Sequence, residues 1–176
     1  MQAGQDMIIA AIFLILPLCL ALAASTDLLE MTIPNRISII LLGTFIIVAP
    51  LSGMQWQTFF LSLGAGLAVF SSCFILFTLN VMGGGDAKLL TASAVWFGFN
   101  ASLAVFLIAV AFVGGILTLA ILSLRSHSQE IMTTGVPIPD SLLVAKKVPY
   151  GIAIAIGGLM TYPEAPIVQA AMRALL

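Results

Sequence analysis

Long apolar segments separated by short polar turns are the dominant pattern along this chain. Charged residues rarely interrupt the segments, and most segments approach the roughly 20 helical residues that cross a ~30 Å hydrocarbon layer. Because an α-helix satisfies its own backbone hydrogen bonds in lipid, such runs predict helices. The pattern predicts an all-α polytopic protein with about six transmembrane helices, at approximately 7–24, 36–51, 56–81, 86–99, 101–124 and 149–162.

The polar stretches between these segments predict three larger loops, at about 25–35, 82–88 and 125–148. No change in composition marks a soluble domain, so residues 1–176 are expected to form a single transmembrane domain. The fourth segment would give only about 20 Å of helix. Either that helix begins before Asp86, or Asp86 lies below the membrane surface, where local thinning and water reach it. The residues after 162 are expected to form a short interfacial helix.

Composition strengthens the membrane interpretation and excludes other classes of function. Hydrophobic residues make up 61% of the chain and charged residues 7%, which is too apolar for a soluble core of 176 residues to hide. The six basic and seven acidic residues are spread among the turns, so no nucleic-acid surface is expected. Cys19 and Cys73 lie far apart in apolar segments, which favours buried thiols over a disulfide or a zinc site.

The basic residues are distributed unequally between the two sets of turns. Those that follow odd-numbered segments are Arg36, Lys88, Arg125, Lys146 and Lys147, whereas the other turns and tails contribute only Arg173. Cytoplasmic loops carry the excess of lysine and arginine in membrane proteins. The chain is therefore expected to lie in the cytoplasmic (inner) membrane, with both termini outside the cytoplasm and the three larger loops inside.

Two aspartates fall in these predicted cytoplasmic loops. Asp27 precedes the second segment, and Asp86 follows three consecutive glycines. Two carboxylates held close together resist double ionisation, so one keeps a proton while the other is anionic and activates a water. This division of roles suits acid/base hydrolysis without a metal or a cofactor. Gly83 and Gly85 would let an extended substrate backbone approach the acid.

Other interpretations of the two acids remain open. Asp86 is well placed to cap a helix N-terminus, and Asp27 alone is typical of a solvated loop acid. A small transporter or proton channel would use both acids to bind or relay ions, and a structural assembly subunit is a third alternative. Their predicted position at one membrane end argues against transport, because a carrier more naturally places an acid near the middle of a span.

Three motifs in this order resemble signatures of one family of membrane proteases. Residues 83–86, Gly-Gly-Gly-Asp, match the Gly-x-Gly-Asp motif of the membrane aspartic proteases. Asp27, followed by Ile-Pro-Asn-Arg at 33–36, resembles the first catalytic aspartate and the Ile-Pro-Asn signature of the type IV prepilin peptidases. Pro-Tyr-Gly at 149–151 resembles the closing signature of the same family. The compact chain is similar to the short peptidases of tight-adherence pilus systems.

This resemblance implies an aspartic endopeptidase that removes the short basic leader of a prepilin or pseudopilin at the cytoplasmic membrane face. Asp27 and Asp86 take the catalytic positions, no cofactor or metal is implied, and the substrate is another membrane helix in the lipid bilayer. Larger members of the family carry an additional domain with two Cys-x-x-Cys pairs and methylate the new N-terminus. This chain lacks those cysteines, so methylation is not implied.

Further residues of the motifs are candidates for substrate approach. Lys88 is expected either to assist substrate binding or to anchor the topology at the cytoplasmic surface. Asn35 belongs to the same signature as Pro34, which is expected in the first turn of its helix, where its missing N–H is not needed. The 125–148 loop is long enough to act as a lid, and His127 within it is not expected to be catalytic.

Overall fold

The computed structural model describes residues 2–126 and 148–175. Within these ranges the chain forms α-helices, one short 3₁₀ helix and no strand, which confirms the all-α class. The helices are α1 (Gln2–Glu30), α2 (Asn35–Leu51), α3 (Trp56–Thr78), α4 (Gly84–Phe97), α5 (Ala101–Ser126), α6 (Tyr150–Thr161) and α7 (Pro166–Leu175), with the 3₁₀ helix at Tyr162–Glu164.

Three of these helices are long and apolar enough to cross a membrane on their own. They are α1, over Gly4–Glu30, together with α3 and α5. A fourth span results if the α6 and α7 segments are counted as one, although they bend by 45°. Helix α2 is apolar but has 17 residues, and α4 has 14. Length and composition therefore support the membrane class and identify three or four of the predicted spans among the described residues.

The short helix α4 lies at the centre of the bundle. It packs against α2, α3, α5, α6 and α7, and most of its side chains are buried. The indole N–H of Trp96 donates to the carbonyl of Leu41 at 3.1 Å, which ties α4 to α2. Gly98 ends the helix at a φ of 69°, a conformation that glycine adopts without strain. Because protein surrounds α4, the thickness of the bilayer does not set its length.

Helix α1 continues past the predicted end of the first segment. A loop was expected from about residue 25, whereas α1 reaches Glu30 and only residues 31–34 connect it to α2. Met31 ends the helix in the left-handed conformation, with a φ of 54°, and donates its N–H to the carbonyl of Asp27 at 3.1 Å. The predicted loop at 25–35 is therefore too long, and Asp27 lies in the last turn of a helix.

The polar residues that suggested this loop are accommodated within α1. The hydroxyls of Ser25 and Thr26 donate to carbonyls one turn back, at 2.8 and 3.1 Å, so they need no solvent. The predicted loop at 82–88 is also shorter, since α4 already begins at Gly84. Of the predicted 125–148 loop, 127–147 lie outside the described residues, together with His127 and the two lysines at 146 and 147.

The first and last helices come together at the end of the molecule opposite Asp27. Helix α7 packs on α1, and a cavity of about 260 Å³ there is lined by Asp6, Ser52 and Leu175 among others. At ~1.5 Å per residue, Asp6 and Asp27 are separated by about 32 Å along α1. Helix α7 buries Ile167 and Val168 on one face only, as expected for a short helix after residue 162.

Candidate active site

The carboxylate of Asp27 is buried against the beginning of α6. Only 5% of the residue is exposed, and its Oδ2 accepts the backbone N–H of Gly151 at 2.6 Å. Gly151 is the second residue of α6, where a backbone N–H has no partner within its own helix. The positive end of the α6 dipole favours a carboxylate at this position. Asp27 therefore connects the end of α1 to the start of α6.

Gly151 is a glycine because Asp27 approaches its backbone so closely. A Cβ atom at this position would lie 2.8 Å from Asp27 Oδ2 and 2.9 Å from Ile33 Cδ1. Both distances are shorter than real Cβ contacts, so any side chain would displace the carboxylate or the helix. The close approach of α1 and α6 at this point depends on the missing side chain.

Asp86 occupies the first turn of α4, directly after the glycine run. Its side chain is half-buried and turns back toward Gly83, the residue that precedes the helix. A Cβ on Gly83 would lie 2.7 Å from Asp86 Oδ2. The carboxylate thus lies beside the N-terminal end of α4, where the helix dipole favours a negative charge, whereas the N-cap position itself is occupied by Gly83.

The remaining two glycines of the run are also packed by residues of this chain. A Cβ on Gly84 would lie 3.3 Å from the ring of Phe77, and one on Gly85 would lie 3.2 Å from Ile33 Cβ. Intramolecular packing therefore accounts for these glycines. Their expected use, leaving space for a substrate backbone, stays a prediction.

Ile33 lies between two of the three sequence motifs. Its Cβ faces Gly85 at the start of α4, and its Cδ1 faces Gly151 at the start of α6. Ile33 belongs to the same motif as Asp27. Through this one side chain, that motif therefore contacts both the glycine run and the Pro-Tyr-Gly motif. The three motifs, far apart in sequence, therefore form one local assembly.

Asp27 and Asp86 line the same cavity, which has a volume of about 310 Å³. We call this cavity the aspartate cleft; its other lining residues are Met31, Thr32, Ile33, Asn35, Gly83, Gly84, Gly85 and Val148. A second cavity of about 450 Å³ continues on the other side of Asp86 and is lined by Thr118 and Tyr150 among others. Asp86 therefore separates two adjoining spaces, only one of which Asp27 also borders.

Of the other predicted site residues, Asn35, Gly83 and Gly85 line the aspartate cleft. The ammonium of Lys88 donates to Asn35 Oδ1 at 3.0 Å, which links α4 to α2 beside the cleft. Pro34 directly precedes α2 rather than lying within its first turn, and its carbonyl accepts the N–H of Ile37. All seven predicted residues, Asp27, Asp86, Gly83, Gly85, Lys88, Pro34 and Asn35, are thus within one region of the fold.

Sequence reasoning missed individual roles for Tyr150 and Gly151. Both belong to the Pro-Tyr-Gly motif at 149–151, but the sequence alone does not indicate what either residue contacts. The Tyr150 ring lies directly over Gly114 of α5, where a Cβ would overlap its hydroxyl. The same residue lines the second cavity beside Asp86. Helix α6 therefore contributes a backbone donor to one acid and an aromatic wall beside the other.

In 2–126 and 148–175, no three histidine, cysteine or acidic residues are grouped as metal ligands would be.

Comparison with models of protein families matches residues 14–119 to the type IV leader peptidase family. This range contains both aspartates and the glycine run, and it ends before Gly151. Comparisons with curated proteins and with solved structures give no match. Because the family match spans more than half of the chain, with the two acids in one cleft, this protein belongs to the type IV leader peptidase family.

Proposed function

We propose that this membrane peptidase is an aspartic endopeptidase that removes the leader from prepilins or pseudopilins at the cytoplasmic face of the inner membrane. Membership of the family supports peptide hydrolysis of a leader. The observation that carries the catalytic assignment is that Asp27 and Asp86 line one cleft although they belong to different helices. Among the described residues, Arg36 and Lys88 lie at that end of the molecule and Arg173 lies in α7 at the other, which supports the cytoplasmic orientation.

In this proposal the two carboxyl groups hold one proton between them. The anionic member removes a proton from a water as the water oxygen attacks the scissile carbonyl. The protonated member donates a hydrogen bond to the carbonyl oxygen and then supplies the proton that the departing amine needs. The products are the released leader, which now ends in a carboxylate, and the mature pilin with a new amino terminus, so water supplies all the atoms that are gained.

The contacts of Asp27 suit such a role. Gly151 donates its backbone N–H to Oδ2 at 2.6 Å, so the protein anchors this carboxylate where Asp27 lines the cleft. A cleft of about 310 Å³ is several times the roughly 30 Å³ that one water occupies, which leaves room for a peptide segment as well.

The rim residues would guide the substrate into the cleft. Asn35 lines the cleft and accepts a hydrogen bond from Lys88, while Gly83 and Gly85 line it and Pro34 directly precedes α2. The substrate's own membrane helix would lie beside the peptidase in the bilayer, with its leader on the cytoplasmic side. We assign these residues to substrate approach rather than to chemistry.

The test is leader removal from a co-expressed prepilin by Asp27→Asn and Asp86→Asn variants. Each change preserves side-chain size and removes the ionisable group, so cleavage is expected to fall at least about a thousandfold. Asp6→Asn is the matched control, since Asp6 borders the cavity at the opposite end of the molecule. Full cleavage by either cleft variant, at normal amounts in the membrane, would rule out the aspartate pair.

A further inference from the structure

The second cavity, on the side of Asp86 away from Asp27, has no role in the proposed chemistry. Its volume of about 450 Å³ exceeds that of the aspartate cleft, at about 310 Å³. The two spaces share three lining residues, Gly83, Asp86 and Val148. A peptide bound across Asp86 therefore extends from one space into the other.

The two spaces differ in the chemistry of their walls. Apolar atoms form the larger part of the second cavity, whereas polar atoms predominate in the aspartate cleft. Leu76 of α3, Met82 before α4 and Tyr150 of α6 contribute to the apolar wall. The hydroxyl of Thr118 donates to the carbonyl of Gly114 at 2.7 Å, so its hydrogen is already engaged within α5. Walls of this kind favour an apolar side chain as the occupant.

The Tyr150 ring is a fixed part of that wall. Its hydroxyl end lies against Gly114 of α5, where a Cβ would overlap it, so the ring is held between α5 and the cavity. The next residue, Gly151, donates to Asp27 Oδ2. One turn of α6 thus positions the first acid and forms the wall beside the second. The cavity and the two acids therefore keep a constant relative position.

The second cavity lies between two helices that are long enough to span the membrane. Leu76 belongs to α3 and Thr118 to α5, and these two helices scarcely touch each other. The adjacent residues Ile75 and Leu119 are 59% and 69% exposed. The walls of the cavity therefore continue onto apolar surfaces that face the bilayer, where the substrate's own helix would lie.

We propose that the second cavity binds an apolar side chain directly after the scissile bond, and that Leu76 and Tyr150 determine which sizes it accepts. This inference rests on the proposed function, in which a basic leader precedes the bond and an apolar membrane helix follows it. The polar cleft with two acids complements the basic side of the bond. The more apolar cavity, which opens toward the bilayer, complements the helix side.

The test is a series of prepilins with alanine, leucine or phenylalanine directly after the cut, cleaved by the full-length protein in detergent. The wild type is expected to cleave the leucine and phenylalanine prepilins with a kcat/KM roughly tenfold above that for alanine, because the cavity buries the larger side chain. Leu76→Trp fills the cavity and is expected to remove or reverse this preference. Leu76→Ala enlarges the cavity and is expected to shift the preference further toward phenylalanine.

The matched control is Ile75→Trp. It adds the same side chain one residue away on α3, at an exposed position that is not among the described residues lining the cavity. This variant is expected to keep the wild-type ranking of the three prepilins. A general disturbance of α3 would lower all three rates together, whereas opposite changes of ranking by the two Leu76 variants require contact with the substrate side chain.

Tyr150 provides an independent variant on the opposite wall. Tyr150→Phe keeps the ring and is expected to keep the ranking, whereas Tyr150→Leu is expected to relax it. An unchanged ranking in both Leu76 variants, or a change that follows the residue before the cut, overturns the proposal and leaves the aspartate pair intact. Normal cleavage by Asp27→Asn or Asp86→Asn would instead overturn the proposed function, and this inference with it.

Discussion

At the scale of single residues, a backbone N–H determines where Asp27 lies. Gly151 donates to Oδ2 at 2.6 Å, and its missing side chain allows the carboxylate to reach the N-terminal end of α6. Ile33 fills the remaining space and contacts the glycine run of α4. The position of one acid is thus set by a residue that has no side chain of its own.

We expect Gly151→Ala to reduce prepilin cleavage by between about tenfold and a hundredfold, because the new methyl group displaces Asp27 from the cleft. The rate of leader removal in membranes containing equal amounts of protein is the measurement. Gly64→Ala is the control, since nothing lies within 4 Å of a Cβ at that helical position. Wild-type cleavage by Gly151→Ala would show that the close contact does not position the acid.

At the scale of helices, α5 and α6 approach closely at Gly114, one glycine of an adjacent pair on α5. A Cβ on Gly114 would overlap the Tyr150 ring, whereas one on Gly115 would meet nothing within 4 Å. The two positions are neighbours on α5 and differ only in the face that they present to α6. Comparing alanine substitutions at the two positions therefore separates the effect of helix packing on stability from that of helix propensity.

We expect Gly114→Ala to lower the free energy of unfolding by about 1–3 kcal/mol, because the tyrosine ring or the helix must move. Gly115→Ala is expected to leave stability unchanged or raise it by up to about 1 kcal/mol, since alanine favours the helix. Denaturant titration of both variants in one detergent measures the difference. Equal stabilities would mean that α5 and α6 do not meet at Gly114.

At the scale of the whole molecule, the helices place the aspartate cleft and the cavity beside Asp6 at opposite ends. Central α4 begins at the cleft, while α7 and the first turns of α1 lie at the other end. The proposed orientation puts the cleft on the cytoplasmic side and the opposite end outside. Exposed residues at both ends make this orientation testable.

We expect Ser52→Cys to react with a membrane-impermeant maleimide added to intact cells, and Thr32→Cys to react only after the inner membrane is opened. Both positions are exposed, and the two native cysteines, which are buried, are first replaced by alanine. Mass shift of the labelled protein on a gel is the measurement. The reverse labelling pattern would place the cleft outside the cytoplasm.

Much of the candidate site was predictable because its residues belong to short local motifs. The glycine run followed by Asp86, and Asp27 followed by Ile33 and Pro34, stand out in any reading of the chain. The end of α1 was not predictable, because Ser25 and Thr26 satisfy their hydroxyls within the helix and so do not end it. The position of α4 was not predictable either, because the expectation compared its length with the thickness of a bilayer, whereas other helices surround it.

The sequence by itself determined the membrane class and the helical content, because an apolar run in lipid has to satisfy its own backbone hydrogen bonds. Only the tertiary structure decided which groups Asp27 and Asp86 contact. The partner of Asp27 lies 124 residues away along the chain, and the aspartate cleft combines residues of α1, α2 and α4. Such contacts depend on the packing of helices against one another, which local patterns of hydrophobicity do not encode.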